Sequence, residues 1–412
     1  MITTDVLVIG AGPSGTVAAA IIKRAGFDVR IIEKQQFPRF VIGESLLPRC
    51  LEALDDAGFM DALNAQQFQV KAGAKFVRNG EICDFTFEKQ HTDGWRYAWQ
   101  MPRADFDHTL ANECERMGIP VSYKHEVTAI DIAADGSSVT TIKPEEGEEY
   151  QIKARFIVDG SGYGRVIPRL FNLEKPSSQP ARKTVFAHMT DPRRLEQEEP
   201  NRIVVYVHRD DCWIWTIPFS NGNTSVGYVS NPEFFEKYKG SMEEQFRAMI
   251  ADEPALKERF GKAELIFEPK VLQGWSATTD TFWGNGFVLT GNVTEFLDPI
   301  FSSGVTLATV SAQTAAKLVI RQLNGEQVDW QKEYTEPTMQ GVNVFRTYVN
   351  SWYDGTLFKI FFAENKSEQF KEQICSVLAG YVWDLSNPFV KNHEKSVRTL
   401  ARVLEGAPAH SS

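Results

Sequence analysis

The residues best placed to do chemistry stand at the start of the chain. Gly10, Gly12 and Gly15 lie in Gly10-Ala-Gly-Pro13-Ser14-Gly15, and Glu33, followed by Lys34, comes 18 residues after Gly15. Gly10 permits a tight turn, Gly12 lets a pyrophosphate approach the backbone at a helix N-terminus, and Gly15 lets helix and strand pack closely. A carboxylate at Glu33 can accept hydrogen bonds from ribose hydroxyls, so the set reads as a dinucleotide cradle. Two further sets carry reactive or shielding side chains. Lys71 and Lys75 lie four apart; on one strand they would share a face. Burial disfavours a lysine's charge and leaves a hydrogen-bond donor or a nucleophilic amine. Trp213 and Trp215, two apart, share a face if Cys212 to Pro218 is a strand, and two indoles there make a rigid apolar wall. A last set, Asp298-Pro299-Ile-Phe-Ser302-Ser303-Gly304, opens a helix whose free N–H groups and dipole favour an anion.

The elements that must hold these residues follow from patterning. Val6 to Ile9 reads as a buried strand, Thr16 to Ala25 as an alanine-rich helix, and Asp28 to Glu33 as a second strand, which makes a βαβ unit. Asp105 to Met117 reads as a helix, Ala154 to Val158 as a strand, Phe287 to Asn292 as a strand ending in Gly291-Asn292, and Val305 to Ile320 as a helix. Between them Arg202–His208, Cys212–Pro218 and Thr224–Val229 are β-rich runs separated by turn residues, an inserted antiparallel sheet. From about 331 the chain turns helical and aromatic, ending in a polar tail after about Leu404. The expected class is α/β, with a discontinuous nucleotide-binding domain over 1–68, 98–175 and 270–330, a substrate-side β-sheet domain over 69–97 and 176–269, and a helical lobe over 331–412.

Composition narrows the function. The 412 residues are 42% hydrophobic and 24% charged, an ordinary globular balance. With 44 basic and 54 acidic residues the net charge is −10, which leaves no cationic excess for a nucleic acid. Cys50, Cys83, Cys114, Cys212 and Cys375 form no CxxC pair, so neither a zinc site nor a disulfide framework is expected. No apolar run approaches the roughly 18 residues of a membrane span, and the start carries no secretory pattern, so a cytoplasmic protein is expected.

Asp159-Gly-Ser-Gly162, Gly291-Asn292 and Asp298-Pro299 with Ser302-Ser303-Gly304, in that order, resemble the FAD-binding motifs of the group A flavin monooxygenases, the p-hydroxybenzoate hydroxylase-like fold, across roughly residues 1 to 320. Gly43-Glu44-Ser45, the pattern Lys-x-Gly-Ala-x-Phe beginning at Lys71, and Trp213-Ile-Trp215-Thr-Ile-Pro218, which matches WxWxIP at every fixed position, are similar to the flavin-dependent halogenases.

The resemblance implies an FAD-binding Rossmann-like domain of the glutathione reductase type. Its FAD contacts would be Gly10, Gly12, Pro13, Ser14, Gly15, Glu33, Lys34, Gly43, Glu44, Ser45, Arg103, Asp159, Gly291, Asn292, Pro299, Ser302, Gly304 and Val305. It implies halide at the amides of Ser303 and Gly304, and Lys71 as the lysine that directs hypohalous acid onto substrate behind the Trp213 and Trp215 wall. Tryptophan halogenases carry a Glu before the Ser-Thr-Gly turn where this chain has Phe301. The expected substrate is therefore a phenolic or pyrrolic ring, free or on a carrier protein. The single GxGxxG leaves reduction of FAD to a separate NAD(P)H flavin reductase, with chloride or bromide as co-substrate and no metal. Two other activities fit the fold: an aromatic hydroxylase, which would ignore halide, and a geranylgeranyl-reductase-like enzyme, which would saturate a prenyl or polyene chain.

Overall fold

A computed structural model describes residues 1–176, 180–275, 277–364 and 367–406. The chain forms two compact units: Met1–Gln67, Pro102–Ser178 and Ser276–Asn343 make the first, and Phe68–Met101, Gln179–Trp275 and Val344–Ser412 the second. The last stretch of the expected polar tail, 407–412, lies outside the described residues.

The first unit is built on a sheet whose strands run in the order Trp283–Gly284, Phe287–Leu289, Tyr150–Asp159, Ile2–Ile9, Val29–Ile32, Val121–Ser122. From Phe287–Leu289 to Val121–Ser122 neighbours are parallel. Val6, Leu7, Val8 and Ile9 are all buried, because a parallel strand covered on both faces needs apolar residues at consecutive positions. His125–Ile132 and Ser138–Pro144 extend the sheet as antiparallel strands from Tyr150–Asp159. The helix Pro13–Arg24 follows the first strand, with Pro at its first position and a buried run Val17-Ala-Ala-Ala20 whose small side chains let it sit close to neighbours. The helix Ser303–Leu323 packs against it. Expected elements are therefore present with ends moved by a few residues; the strand expected over 287–292 stops at Leu289 and gives way to a 3-10 turn, Gly291–Val293.

The second unit is built on seven strands in the order Lys270–Gln273, Lys183–Thr190, Asn223–Ser230, Cys212–Pro218, Val204–Arg209, Gly73–Arg78, Glu81–Thr86. The expected antiparallel pairing holds except at one place: Val204–Arg209 pairs parallel with Gly73–Arg78, joining two of this unit's three chain segments. Alternation then sorts side chains by face. Val185, Ala187, Ile214, Val226 and Tyr228 meet Phe246, Met249 and Phe260 of the helices Met242–Asp252 and Pro254–Phe260. The alternate residues include Trp213 and Trp215, and Phe76 stands on their side because Val205 is opposite both Phe76 and Trp215. Trp352 and Phe361 of the helical C-terminal region lie 5.6 and 5.0 Å from the Phe76 ring, so its aromatic stripe is core.

Gln69–Lys71 belongs to neither face. It pairs only with Ala98–Gln100, as a separate two-stranded ribbon. The expectation that Lys71 and Lys75 could share one strand is corrected here: Ala72 separates them, Lys71 ends the ribbon strand, and Lys75 sits in the seven-stranded sheet. Their spacing of four sets no common face because the chain changes sheets between them.

Candidate functional site

In the first unit, the glycines at 10 and 15 make the turn and the close packing expected of them. Gly10 has φ +93° and a Cβ there would lie 2.7 Å from the Gly160 oxygen. A Cβ on Gly15 would lie 1.9 Å from the Gly10 oxygen, so helix and turn close only on glycine. Gly12 is different: its nearest neighbour would be an Arg39 nitrogen at 3.4 Å. That leaves its backbone open, at a helix start with no side-chain cap, beside a guanidinium. These are the features an incoming phosphate needs, so the residues fit a dinucleotide pyrophosphate.

The carboxylates around this cradle are organised by backbone amides. Glu33 accepts from the Ala11 and Gln35 N–H groups at 2.9 and 2.8 Å, which fixes it at the end of Val29–Ile32. Asp159, fully buried, accepts from Ser161 at 3.0 Å and Ile167 at 2.7 Å. Burial pushes the Asp159 carboxyl up from its ordinary value, against those two amides. Lys34 is exposed and pairs with Glu126 at 2.7 Å.

The later motifs meet the cradle. Ser14 Oγ donates to Thr290 Oγ1 at 2.7 Å, the Gly291 N–H donates to Ser311 Oγ at 2.9 Å, and a Cβ on Gly291 would touch Ala308. The Asn292 carbonyl accepts from Arg165 at 3.3 Å. Pro299 opens a 3-10 turn through Phe301, with Asp298 accepting from the Ile300 N–H. Ser302 follows in the left-handed region at φ 56°, and its hydroxyl donates to Ser45 Oγ at 3.2 Å instead of capping the helix that Ser303 and Gly304 begin. The side chain best placed to cover the first N–H groups is thus turned elsewhere.

Arg103 is buried, bidentate to Asp107 at 2.7 and 2.9 Å, and donates to the Ile42 carbonyl at 3.0 Å and the Gly43 carbonyl at 3.4 Å. Burial works against its charge, yet Asp107 holds the guanidinium above its ordinary value. A Cβ on Gly43, at φ +108°, would lie 2.9 Å from that guanidinium and 3.9 Å from Val305. Arg103 therefore seats Gly43-Glu44-Ser45, with Glu44 and Ser45 buried, against the start of the long helix. Arg39, which shares Asp107 at 3.2 Å, was not singled out in the sequence. Its only local signal is a cation in the loop after Glu33.

In the second unit, Lys71 is 2% exposed and its Nζ lies 5.5 Å from the Phe87 ring centroid. Lys75 pairs with Glu199. Trp213 and Trp215 do share a face, with ring centroids 5.8 Å apart. Trp213 donates to the Tyr353 hydroxyl at 3.0 Å and Trp215 to Ser225 Oγ at 3.0 Å. Gly227 makes room for Trp215: a Cβ there would fall 2.1 Å from the indole. Both indoles are thus held in fixed orientations and their N–H groups satisfied within this unit.

All five cysteines are buried with free thiols. Among the described residues no cluster of His, Cys, Asp and Glu could hold a metal ion, and no helix is long and apolar enough to cross a membrane.

A family model for the FAD binding domain matches residues 3–335. A 1H-pyrrole-2-carbonyl-(peptidyl-carrier protein) brominase of Pseudoalteromonas luteoviolacea is 26% identical over 388 residues, 92% of each chain. A tryptophan 2-halogenase of Chondromyces crocatus is 31% identical over 331 residues, 79% of this chain and 62% of that one. The crystal structure of a flavoprotein/dehydrogenase from Cytophaga hutchinsonii is 55% identical and superposes with a TM-score of 0.96 over 98% of this chain and 99% of that one.

Proposed function

The chain belongs to the FAD-binding domain family and is an FAD-dependent oxidoreductase with flavin-dependent halogenases among its relatives; from that premise we propose that it halogenates an electron-rich aromatic ring under the direction of Lys71. Bound FAD, once reduced by a separate NAD(P)H flavin reductase, would supply two electrons and two protons, so that oxygen, halide and one further proton yield hypohalous acid and water. The ring then exchanges a proton for the halogen and releases a second water.

The chain's own residues have the following parts. Gly10, Gly12 and Gly15 with the start of Pro13–Arg24 receive the pyrophosphate, and Glu33 takes the ribose. Asp159, Gly291 and Asn292 shape the floor of the cradle, and Arg103 seats Gly43-Glu44-Ser45 on it. The amides at Ser303 and Gly304 bind halide, an anion suited to a helix start whose Ser302 hydroxyl points to Ser45. The first unit thus holds cofactor and halide, while the second carries the directing lysine and the paired indoles.

The observation that carries this reading is Lys71. Lys71 is 2% exposed and sits in the unit that holds the paired indoles, at the position where the halogenase resemblance puts the directing lysine. A buried amine donates a hydrogen bond to hypohalous acid or takes the halogen itself, losing a proton to do so. Trp213 and Trp215, side by side on one face of their strand, offer the rigid apolar wall that the resemblance implies. A phenolic or pyrrolic substrate is favoured by Phe301, which places an apolar side chain where tryptophan halogenases have Glu. The pyrrole brominase relative acts on a carrier-bound ring, which supports a tethered substrate here.

The test is oxidant trapping. Purified protein with FAD, flavin reductase, NADH and oxygen should halogenate a 1,3-diketone trap only when bromide or chloride is present. Because the relative at 55% identity is described as a dehydrogenase, a halide-independent flavin reaction is the second reading. Substrate oxidation or double-bond reduction without halide would establish it.

A further inference from the structure

Lys71 ends a three-residue strand in a ribbon of two strands, and two-stranded β structure is marginal on its own. Its position has to come from elsewhere in the second unit. Two rungs away from Lys71, and so on the same face, the ribbon pairs Gln69 with Gln100. Gln100 is 1% exposed, and its Nε2 donates to the Pro218 carbonyl at 2.7 Å and the Asn201 carbonyl at 3.3 Å. Pro218 is the last residue of the strand that carries Trp213 and Trp215.

The other side of the rung is held as well. Gln69 Oε1 accepts from Arg194 at 3.2 Å, and Arg194 also donates to Asn201 Oδ1 at 2.6 Å, the Pro200 carbonyl at 3.1 Å and the Phe219 carbonyl. Gln100 directly, and Gln69 through Arg194, are therefore tied to the end of the tryptophan strand and the loop beside it. Gln69, Lys71, Ala98 and Gln100 share one face of the ribbon, so a shift at the rung moves the lysine with it.

We propose that Gln100, backed by Arg194 through Gln69, is a positioning residue that fixes the Lys71 amine relative to the tryptophan strand. An amide suits the place: it offers two N–H donors to two carbonyls without bringing a charge into a buried setting. This role rests on the halogenase reading, in which a lysine must meet a small diffusing oxidant at a fixed point. It extends the machinery to a residue that touches neither cofactor nor substrate.

The test uses the full-length protein with two readouts. In the first, lysines are dimethylated with formaldehyde and cyanoborohydride and labelling is followed by peptide mass spectrometry, with exposed Lys262 as the reference and Lys75 as the control for general loosening. Gln100→Leu should speed labelling of Lys71 about tenfold, since two buried bonds are lost, and leave Lys75 unchanged. Gln69→Leu, which keeps the Gln100 bonds, should give a smaller increase at Lys71. In the second, bromide turnover with reductase-supplied FAD should show the same oxygen consumption but a smaller share of oxidant reaching product, with more captured by a trap. Labelling of Lys71 at the wild-type rate in Gln100→Leu, or equal acceleration of Lys71 and Lys75, would overturn the proposal. If wild-type protein makes no brominated product, the halogenase reading fails, while the labelling arm still decides whether Gln100 holds Lys71.

Discussion

The two units place their functional groups by opposite means. In the first, position is set mainly by backbone, with Arg103 as the chief side-chain brace: glycines at 10, 15, 43 and 291 let segments touch, and amides from Ala11, Ser161 and Ile167 hold the carboxylates. In the second, position is set by side chains: Gln100 and Arg194 hold the ribbon, Tyr353 and Ser225 hold the indoles. A cofactor used in every turnover suits a cradle made of backbone, whose geometry no rotamer can change. On the proposed reading the second unit must suit one substrate, and side chains, which can be exchanged singly, allow that. Damage should therefore be abrupt in the first unit and graded in the second, apart from the reactive amine itself.

The largest effect expected is at that amine. Lys71→Ala should lower enzyme-directed halogenation at least about 1,000-fold, as for removal of a group that takes part in proton and group transfer. FAD affinity should be unchanged, and product mass spectrometry beside a flavin-fluorescence titration reads both. A parallel fall in FAD binding would erase the division between the units.

Trp215→Ala comes next. The indole is 5% exposed over Gly227, and its removal leaves a cavity costing about 3–5 kcal/mol. Urea unfolding should show that loss, and turnover should leak peroxide or give hydroxylated product. Unchanged leakage would make Trp215 a core residue only.

A smaller but abrupt change is expected in the cradle. Gly15→Ala puts a methyl group 1.9 Å from the Gly10 oxygen, a clash with backbone that no rotamer relieves. Overpacking of this kind costs about 1–3 kcal/mol, so FAD should bind about five- to 150-fold more weakly. Binding at wild-type strength would show that the turn can yield.

The smallest effect is at Lys75. Its ion pair holds the Glu199 carboxyl below the ordinary 4.5, so the pair's contribution is present at neutral pH and lost as pH falls through the lowered value. Lys75→Met should cost under about 1 kcal/mol at pH 7, because Glu199 is partly exposed, and nothing in strong acid. Thermal unfolding between pH 7 and pH 3 measures the convergence, and halogenation should persist. Loss of product in this variant would move the reactive amine from Lys71 to Lys75.

What could be read from the sequence follows the same division. The Gly10 to Gly15 turn, Glu33 and the opening βαβ unit are local patterns, and the structure places them within a few residues of expectation. The shared face of Trp213 and Trp215 is equally local, since alternation in a strand decides it. The break between Lys71 and Lys75 is not, because it depends on which distant strand each segment pairs with, and the parallel pairing of Val204–Arg209 with Gly73–Arg78 joins segments more than a hundred residues apart. Gln100 and Arg194 carry no signal at all in one dimension. A buried amide is informative only once the carbonyls it serves, here from Asn201 and Pro218, are brought to it by the fold. Arg39 is similar, a loop cation until Gly12 and Asp107 are placed beside it.

The central claim is that Lys71 directs the halogen, and one comparison tests it most directly. Wild-type protein and Lys71→Ala are each supplied with FAD, flavin reductase, NADH, oxygen and bromide, and offered simple phenols and pyrroles and a pyrrole-2-carbonyl carrier protein, with products read by mass spectrometry. The account predicts a bromine isotope doublet on a wild-type product and none with the variant. Equal bromination by both proteins would mean that hypobromite escapes and reacts in solution, and would remove Lys71 from the chemistry.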